Sequence, residues 1–146
     1  MVAAASADDP YNLQRFESAQ DGVYESVLAQ VRAGRKTGHW MWFVFPQIAG
    51  LGLSAMSQRY AISSLAEARA YLDHPVLGAR IAECAGALIE LDGRSAEAIF
   101  GAIDAVKLRS SMTLFLRASG DEGSVYRAVL DRYFGGEADA ATDARL

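Results

Sequence analysis

The chain has one cysteine, Cys84, among 146 residues. No disulfide can form within it, which is consistent with a reducing, cytoplasmic setting. Cys84 falls inside an apolar helical pattern and reads as a small buried hydrophobe. Neither His39 nor His74 stands at a spacing that would make it a nucleophile. No run of 18 apolar residues occurs, so no membrane span is expected. The opening MVAAASADD has no basic start and no apolar core of sufficient length, so it does not read as a secretory signal. A basic surplus is also missing: 14 Lys and Arg stand against 18 Asp and Glu, a net charge of −4. That balance disfavours binding to a nucleic-acid duplex, which rewards displaced counterions. No Cys/His spacing suits a metal, and Gly50-Leu51-Gly52 lacks the third glycine and the preceding strand of a dinucleotide fingerprint. Neither metal nor cofactor is therefore expected. No internal repeat and no linker rich in Pro, Gly or Ser divides the chain.

What is present is ordinary for a folded protein. Hydrophobic residues make up 51% and charged residues 22%, far from the composition of a disordered chain. A chain of this length buries roughly 68–70% of its unfolded surface and needs no cross-link to hold a core.

The patterning is helical nearly throughout. Asp9-Pro10 is expected to cap and open a helix running to about Gln20, and Asp21-Gly22 interrupts it. Tyr24, Val27, Leu28 and Val31 recur at helical spacing, and Gly34 fits the end of that helix. Ser54 can cap a helix carrying Met56 and Tyr60. Ser64 and Glu67 stand in the capping-box relation. His74 looks like a cap, and Pro75 fits a first turn. Leu77, Ile81, Cys84, Ala85 and Leu88 then form one amphipathic face. Asp92-Gly93 is a turn, and Ser95 begins a short helix ending near Gly101. Asp104 is expected to cap the next helix, with Leu108, Met112, Phe115 and Leu116 inward. SGDEGS is a loop. Val125 to Phe134 is helical until Gly135-Gly136 stops it, and the tail EADAATDARL reads as one more short helix or a frayed end. Only WMWFVF is rich in strand formers, and it has no partner strand. The expected fold is all-α: a single compact multihelical domain of about six to nine helices of unequal length, too irregular for a simple four-helix bundle. Residues 1–8 are expected to be a flexible N-terminus and residues 9–146 the domain.

Both tryptophans fall in one block, HWMWFVF, which has no polar side in either helical or strand geometry. It must be buried all round, or one face must await something outside the chain. Burial as a core helix explains most of these rings. The flanks are polar: Arg35, Lys36 and His39 before, Gln47 after. Cations beside aromatic faces can hold an anionic group while a flat ring stacks, so Trp42, ahead of Trp40, is a candidate to line a pocket. His39 reads either as a cap or as a proton-transfer residue, and it is the tentative catalytic candidate.

KLRSSMTLF forms a second constellation. Lys107, Ser110, Ser111 and Leu114 occupy the stripe beside the inward residues. Adjacent serines in mid-helix run against local preference. They either admit a neighbouring helix closely or join Lys107 in binding a phosphate or carboxylate. Nothing local would activate them as nucleophiles.

The phrases His-Trp-Met-Trp-Phe-x-Phe-Pro-Gln and Lys-Leu-x-Ser-Ser-Met-Thr-Leu-Phe, together with DPYNLQRFESAQ, EARAYLDHPVLGARI and FGGEADAAT in this order, resemble a small bacterial and fungal domain family of unknown function. The resemblance runs from about Pro10 to Asp143. It implies a mainly helical single domain and brings no reaction, substrate or cofactor. Its signature positions are His39, Trp40, Trp42, Pro46, Gln47, Lys107, Ser110 and Ser111. The chain departs from it at Ala102-Ile103, where a turn with proline is expected.

Two functions follow from these residues. The first is a pocket, binding or enzymatic, for a small anionic, ring-containing metabolite such as a nucleotide derivative. Its ligand-binding residues would be Arg35, Lys36, Trp40, Trp42, Gln47, Lys107, Ser110 and Ser111, with His39 moving a proton. The second is a protein–protein interaction module using the aromatic block as its hot spot. The first requires the two constellations to meet in space.

Overall fold

A computed structural model describes residues 8–146. The flexible start expected for residues 1–8 lies, apart from Asp8, outside the described residues. Among the described residues ten helices follow one another: α1 (Gln14–Gln20), α2 (Tyr24–Ala33), α3 (Met41–Val44), α4 (Ala55–Arg59), α5 (Leu65–Asp73), α6 (Leu77–Glu90), α7 (Ala96–Phe100), α8 (Ala102–Ser119), α9 (Val125–Phe134) and α10 (Ala140–Asp143). The domain is a single helical unit, as the periodicity implied. It has one helix more than the upper expectation because the polar tail closes into α10. Ile48 and Ile62 make an isolated parallel bridge, which fastens the chain after the aromatic block.

The longest helix, α8, is the axis of the fold. α5, α7, α9 and α10 all pack against it. Ser110 through Leu116 are therefore buried on every side of the helix. Tyr71 of α5 meets Phe115 at 5.1 Å between ring centroids, and Phe16 of α1 meets Tyr71 edge-on at 5.2 Å. Each such buried aromatic or aliphatic side chain contributes about 1.5–3 kcal/mol.

Local chemistry sets the helix ends, with two departures from expectation. Asp9-Pro10 does not open α1. Asn12 takes a left-handed conformation at φ 53°, which asparagine tolerates better than most residues and which interrupts a helix. Asp9 still caps α1, from further away: its carboxylate accepts from the N–H groups of Leu13 (2.7 Å) and Gln14 (3.0 Å). Asp104 likewise does not cap α8. Gly101, at φ 84°, turns the chain directly from α7 into α8, which begins at Ala102. Asp104 thus falls in the first helical turn, where its side chain can reach another segment. Ser54, Ser64 and Ser95 do cap α4, α5 and α7, and His74 accepts through Nδ1 from the N–H groups of Val76 and Leu77. The capping box at Ser64 closes differently from its usual form. Glu67 bonds the backbone and hydroxyl of Ser63, and its other oxygen takes Arg15 at 3.0 Å.

Candidate functional site

The aromatic block is hung on α2. Gln30 Oε1 accepts three hydrogen bonds, from the backbone N–H of Thr37 (2.8 Å) and Gly38 (3.0 Å) and from Trp40 Nε1 (2.9 Å). Gly34 ends α2 in a left-handed conformation at φ 72°, and Lys36 N–H donates to the Ile99 carbonyl at 2.8 Å. These contacts carry the chain to Trp40, after which Met41–Val44 forms a single helical turn. Pro46 then disfavours helix. Trp40 is a core residue, buried against Phe45 and Phe100 at 6.3 Å each, with its indole N–H satisfied. Trp42 is only partly buried.

The first turns of α8 meet this block. Lys36 Nζ lies 2.9 Å from Asp104 Oδ2, and Lys107 Nζ lies 3.5 Å from Asp104 Oδ1. Each ammonium also sits over an indole: Lys36 is 5.2 Å from the Trp40 ring and Lys107 5.1 Å from the Trp42 ring. One carboxylate therefore ties together two lysines and, through them, both tryptophans. Asp104 carries no candidate role in the sequence beyond a cap. Its spacing to Lys107, i to i+3 on a helix, was the available signal. Lys36 is well occupied, since it also donates to the Gly38 carbonyl. Among the described residues Lys107 has, besides the Trp42 ring, only the 3.5 Å contact to Asp104, so this ammonium has donors to offer.

The serines go elsewhere. Ser110 Oγ donates toward Asp139 Oδ2 (3.0 Å) and the Val106 carbonyl (3.2 Å). Thr113 Oγ1 donates to the Arg109 carbonyl and accepts from Asp139 N–H, both at 2.8 Å. Asp139 also accepts from Thr142 N–H and hydroxyl. These groups dock the C-terminal tail on α8. Ser111 Oγ is fully buried and has no hydrogen-bond partner among the described residues. The expected grouping of both serines with Lys107 is thus not what the structure brings together.

Arg35 and His39 are exposed, and Gln47 is partly buried. His39 lies at the mouth of a cavity of about 230 Å³ between α2 and the aromatic block, on the Trp40 side. A larger hollow of about 550 Å³ lies between the approach to α1 and α5, lined by Asp8, Asp9, Asp73 and His74 among others. Nothing in the sequence marked that hollow, and Asp9 and His74 are occupied there as caps.

Cys84 is buried beside Tyr24, whose hydroxyl bonds Glu83. Burial pushes the thiol up to about 11, so it is protonated at neutral pH and poorly nucleophilic. At the tail, hydrogen bonds from Arg117 hold the Asp143 carboxyl below its usual range. No helix among the described residues is long and apolar enough to cross a membrane.

A comparison with curated protein sequences finds no match. Among solved structures the chain is similar to Rv1873, a conserved hypothetical protein from Mycobacterium tuberculosis. The two share 54% identity over 94% of this chain and 98% of that one, with a TM-score of 0.91. The similarity extends across essentially the whole fold. Residues 10–146 match a family model in full agreement with that likeness, and the chain belongs to the family described as "Protein of unknown function (DUF1810)".

Proposed function

We propose that this domain binds a small anionic, ring-bearing metabolite, of the nucleotide-derivative kind, where the aromatic block meets the start of α8. The observation that carries this reading is Lys107. Its ammonium is partly exposed, lies 5.1 Å from a half-buried indole, and has one long contact to Asp104. Lys36, Asp104 and Lys107 together carry a net charge of +1, and Arg35 adds a further cation nearby in sequence. A planar ring stacks on the outer face of Trp42 while its anionic group takes the free donors of Lys107. Lysine acts here as a point charge on a flexible stem. His39, on the Trp40 side of the block, is a second-rank candidate, and no proton transfer is assigned to it.

The test is a thermal-shift screen of nucleoside phosphates and aromatic carboxylates, followed by titration of the best compound. Binding raises the midpoint by mass action, and Lys107→Met should weaken it about tenfold or more, the loss of a hydrogen bond to a charged group. A library that never moves the midpoint, or a hit indifferent to Lys107, overturns the reading.

A second reading has its own observation. Ile103 and Val106, one helical turn apart beside Lys107, are 76% and 62% exposed. Apolar side chains around an aromatic and a cation also suit a protein partner. Co-purification that is lost with Ile103→Glu, while metabolites leave the midpoint unmoved, would favour this interaction module over the pocket.

A further inference from the structure

The cavity on the Trp40 side differs chemically from the Lys107 face, and the geometry points to it as a separate site for a monocyclic aryl carbonyl compound. Its floor is apolar: Val27, Trp40 and Phe43 are 1%, 4% and 9% exposed. Its volume of about 230 Å³ exceeds the roughly 150 Å³ in which a buried apolar cavity holds benzene, and it is below the range of most drug-sized pockets. One ring with a short substituent fills it, and a nucleotide does not.

The polar groups at the mouth select the substituent. Gln30 is occupied: its oxygen takes three donors, and its Nε2 donates to Ser26 Oγ at 3.1 Å. Because Ser26 Oγ accepts that bond, its hydroxyl hydrogen remains to be donated. His39 makes no hydrogen bond or ion pair among the described residues and lines the same mouth. No Lys or Arg lines the cavity. The ring therefore packs against Phe43 and the edge of Trp40 that reaches the cavity, and its carbonyl oxygen accepts from Ser26 and His39. This site does not depend on the Lys107 reading.

Fluorescence titration of Trp42→Phe protein, which keeps Trp40 as its one indole, reads the cavity directly. Benzamide should produce a saturable change below about 10 mM, and toluene, which has the ring without the acceptor, should bind about tenfold more weakly. Ser26→Phe, at an exposed helix position, should abolish the change by filling the mouth while leaving the helical circular dichroism intact. The double variant Ser26→Ala/His39→Ala should bring benzamide down to the affinity of toluene. Lys107→Met should leave benzamide unaffected, which separates this site from the preceding one. No saturation, or saturation that survives Ser26→Phe, overturns the site. Equal affinity for toluene and benzamide overturns the carbonyl assignment.

Discussion

The first turns of α8 and its middle both carry polar side chains, and they use them in opposite ways. Asp104 and Lys107 sit near the surface, 3.5 Å from each other, and Asp104 reaches Lys36 beside the aromatic block at 2.9 Å. Ser110 and Thr113, two turns on, are buried and fully engaged with Asp139 and the tail. A polar group closed off from water costs free energy unless it is paired, so the middle of the helix behaves as a joint between segments. The polar groups of the first turns keep part of their surface in water. The same helix therefore carries a buried joint in its middle and a partly solvated polar cluster at its start.

Substitutions test that division. The largest effect is expected from Asp139→Ala, which removes the α10 cap, takes the acceptor from the buried Thr142 hydroxyl and leaves Ser110 with the Val106 carbonyl alone. It should destabilise by about 2–4 kcal/mol in urea denaturation. Asp104→Ala should cost about 1 kcal/mol, since its ion pairs remain partly solvated. If Asp104 proved the more costly of the two, the division would be reversed. The two serines sharpen the contrast further. Ser110→Ala should cost about 1 kcal/mol, whereas Ser111→Ala removes a buried hydroxyl with no partner and should be neutral or stabilising by up to about 1 kcal/mol. A clear loss of stability in Ser111→Ala would show that its hydroxyl is bonded after all.

The smallest effect concerns the tail and depends on pH. Arg117 holds the Asp143 carboxyl below its usual range through two 2.9 Å hydrogen bonds. A depressed folded-state value means the contribution is present above the ordinary carboxylate pKa and is lost as pH falls through the folded-state value. Wild type should therefore exceed Asp143→Asn in stability at neutral pH, and the gap should close in acid, below about pH 4. Both side chains are about a third exposed, so the gap should stay under about 1 kcal/mol. A gap that is constant across pH would mean the charge of Asp143 is irrelevant.

Much of the scaffold was legible in the chain. Tyr24, Val27, Leu28 and Val31 are buried on α2, and Leu108, Met112, Phe115 and Leu116 on α8, because burying an apolar stripe leaves few alternatives. The convergence of the aromatic block with the Lys107 stripe is a matter of space that no local pattern encodes. Lys36 and Lys107 meet through Asp104, a residue read only as a cap, while His39 and Ser110 lie elsewhere. The stripe Lys107, Ser110, Ser111 misled for a geometric reason. Successive helical residues rotate by about 100°, so Ser110 and Ser111 diverge to either side of Lys107. Ser110 is close enough to the tail to be taken by Asp139, while Lys107 faces Trp42.

The sequence by itself determined that this chain is helical, where most helices begin and end, and which faces are apolar. Those properties are local: capping atoms, glycine conformations and 3.6-residue periodicity act within a few residues. Only the tertiary structure decided that Gln30 holds the aromatic loop, that Asp104 joins two lysines 71 positions apart in the chain (107 − 36), and that the tail takes Ser110. Those choices rest on which polar atoms end up within hydrogen-bond reach across segments, and no local pattern encodes a distance of that kind.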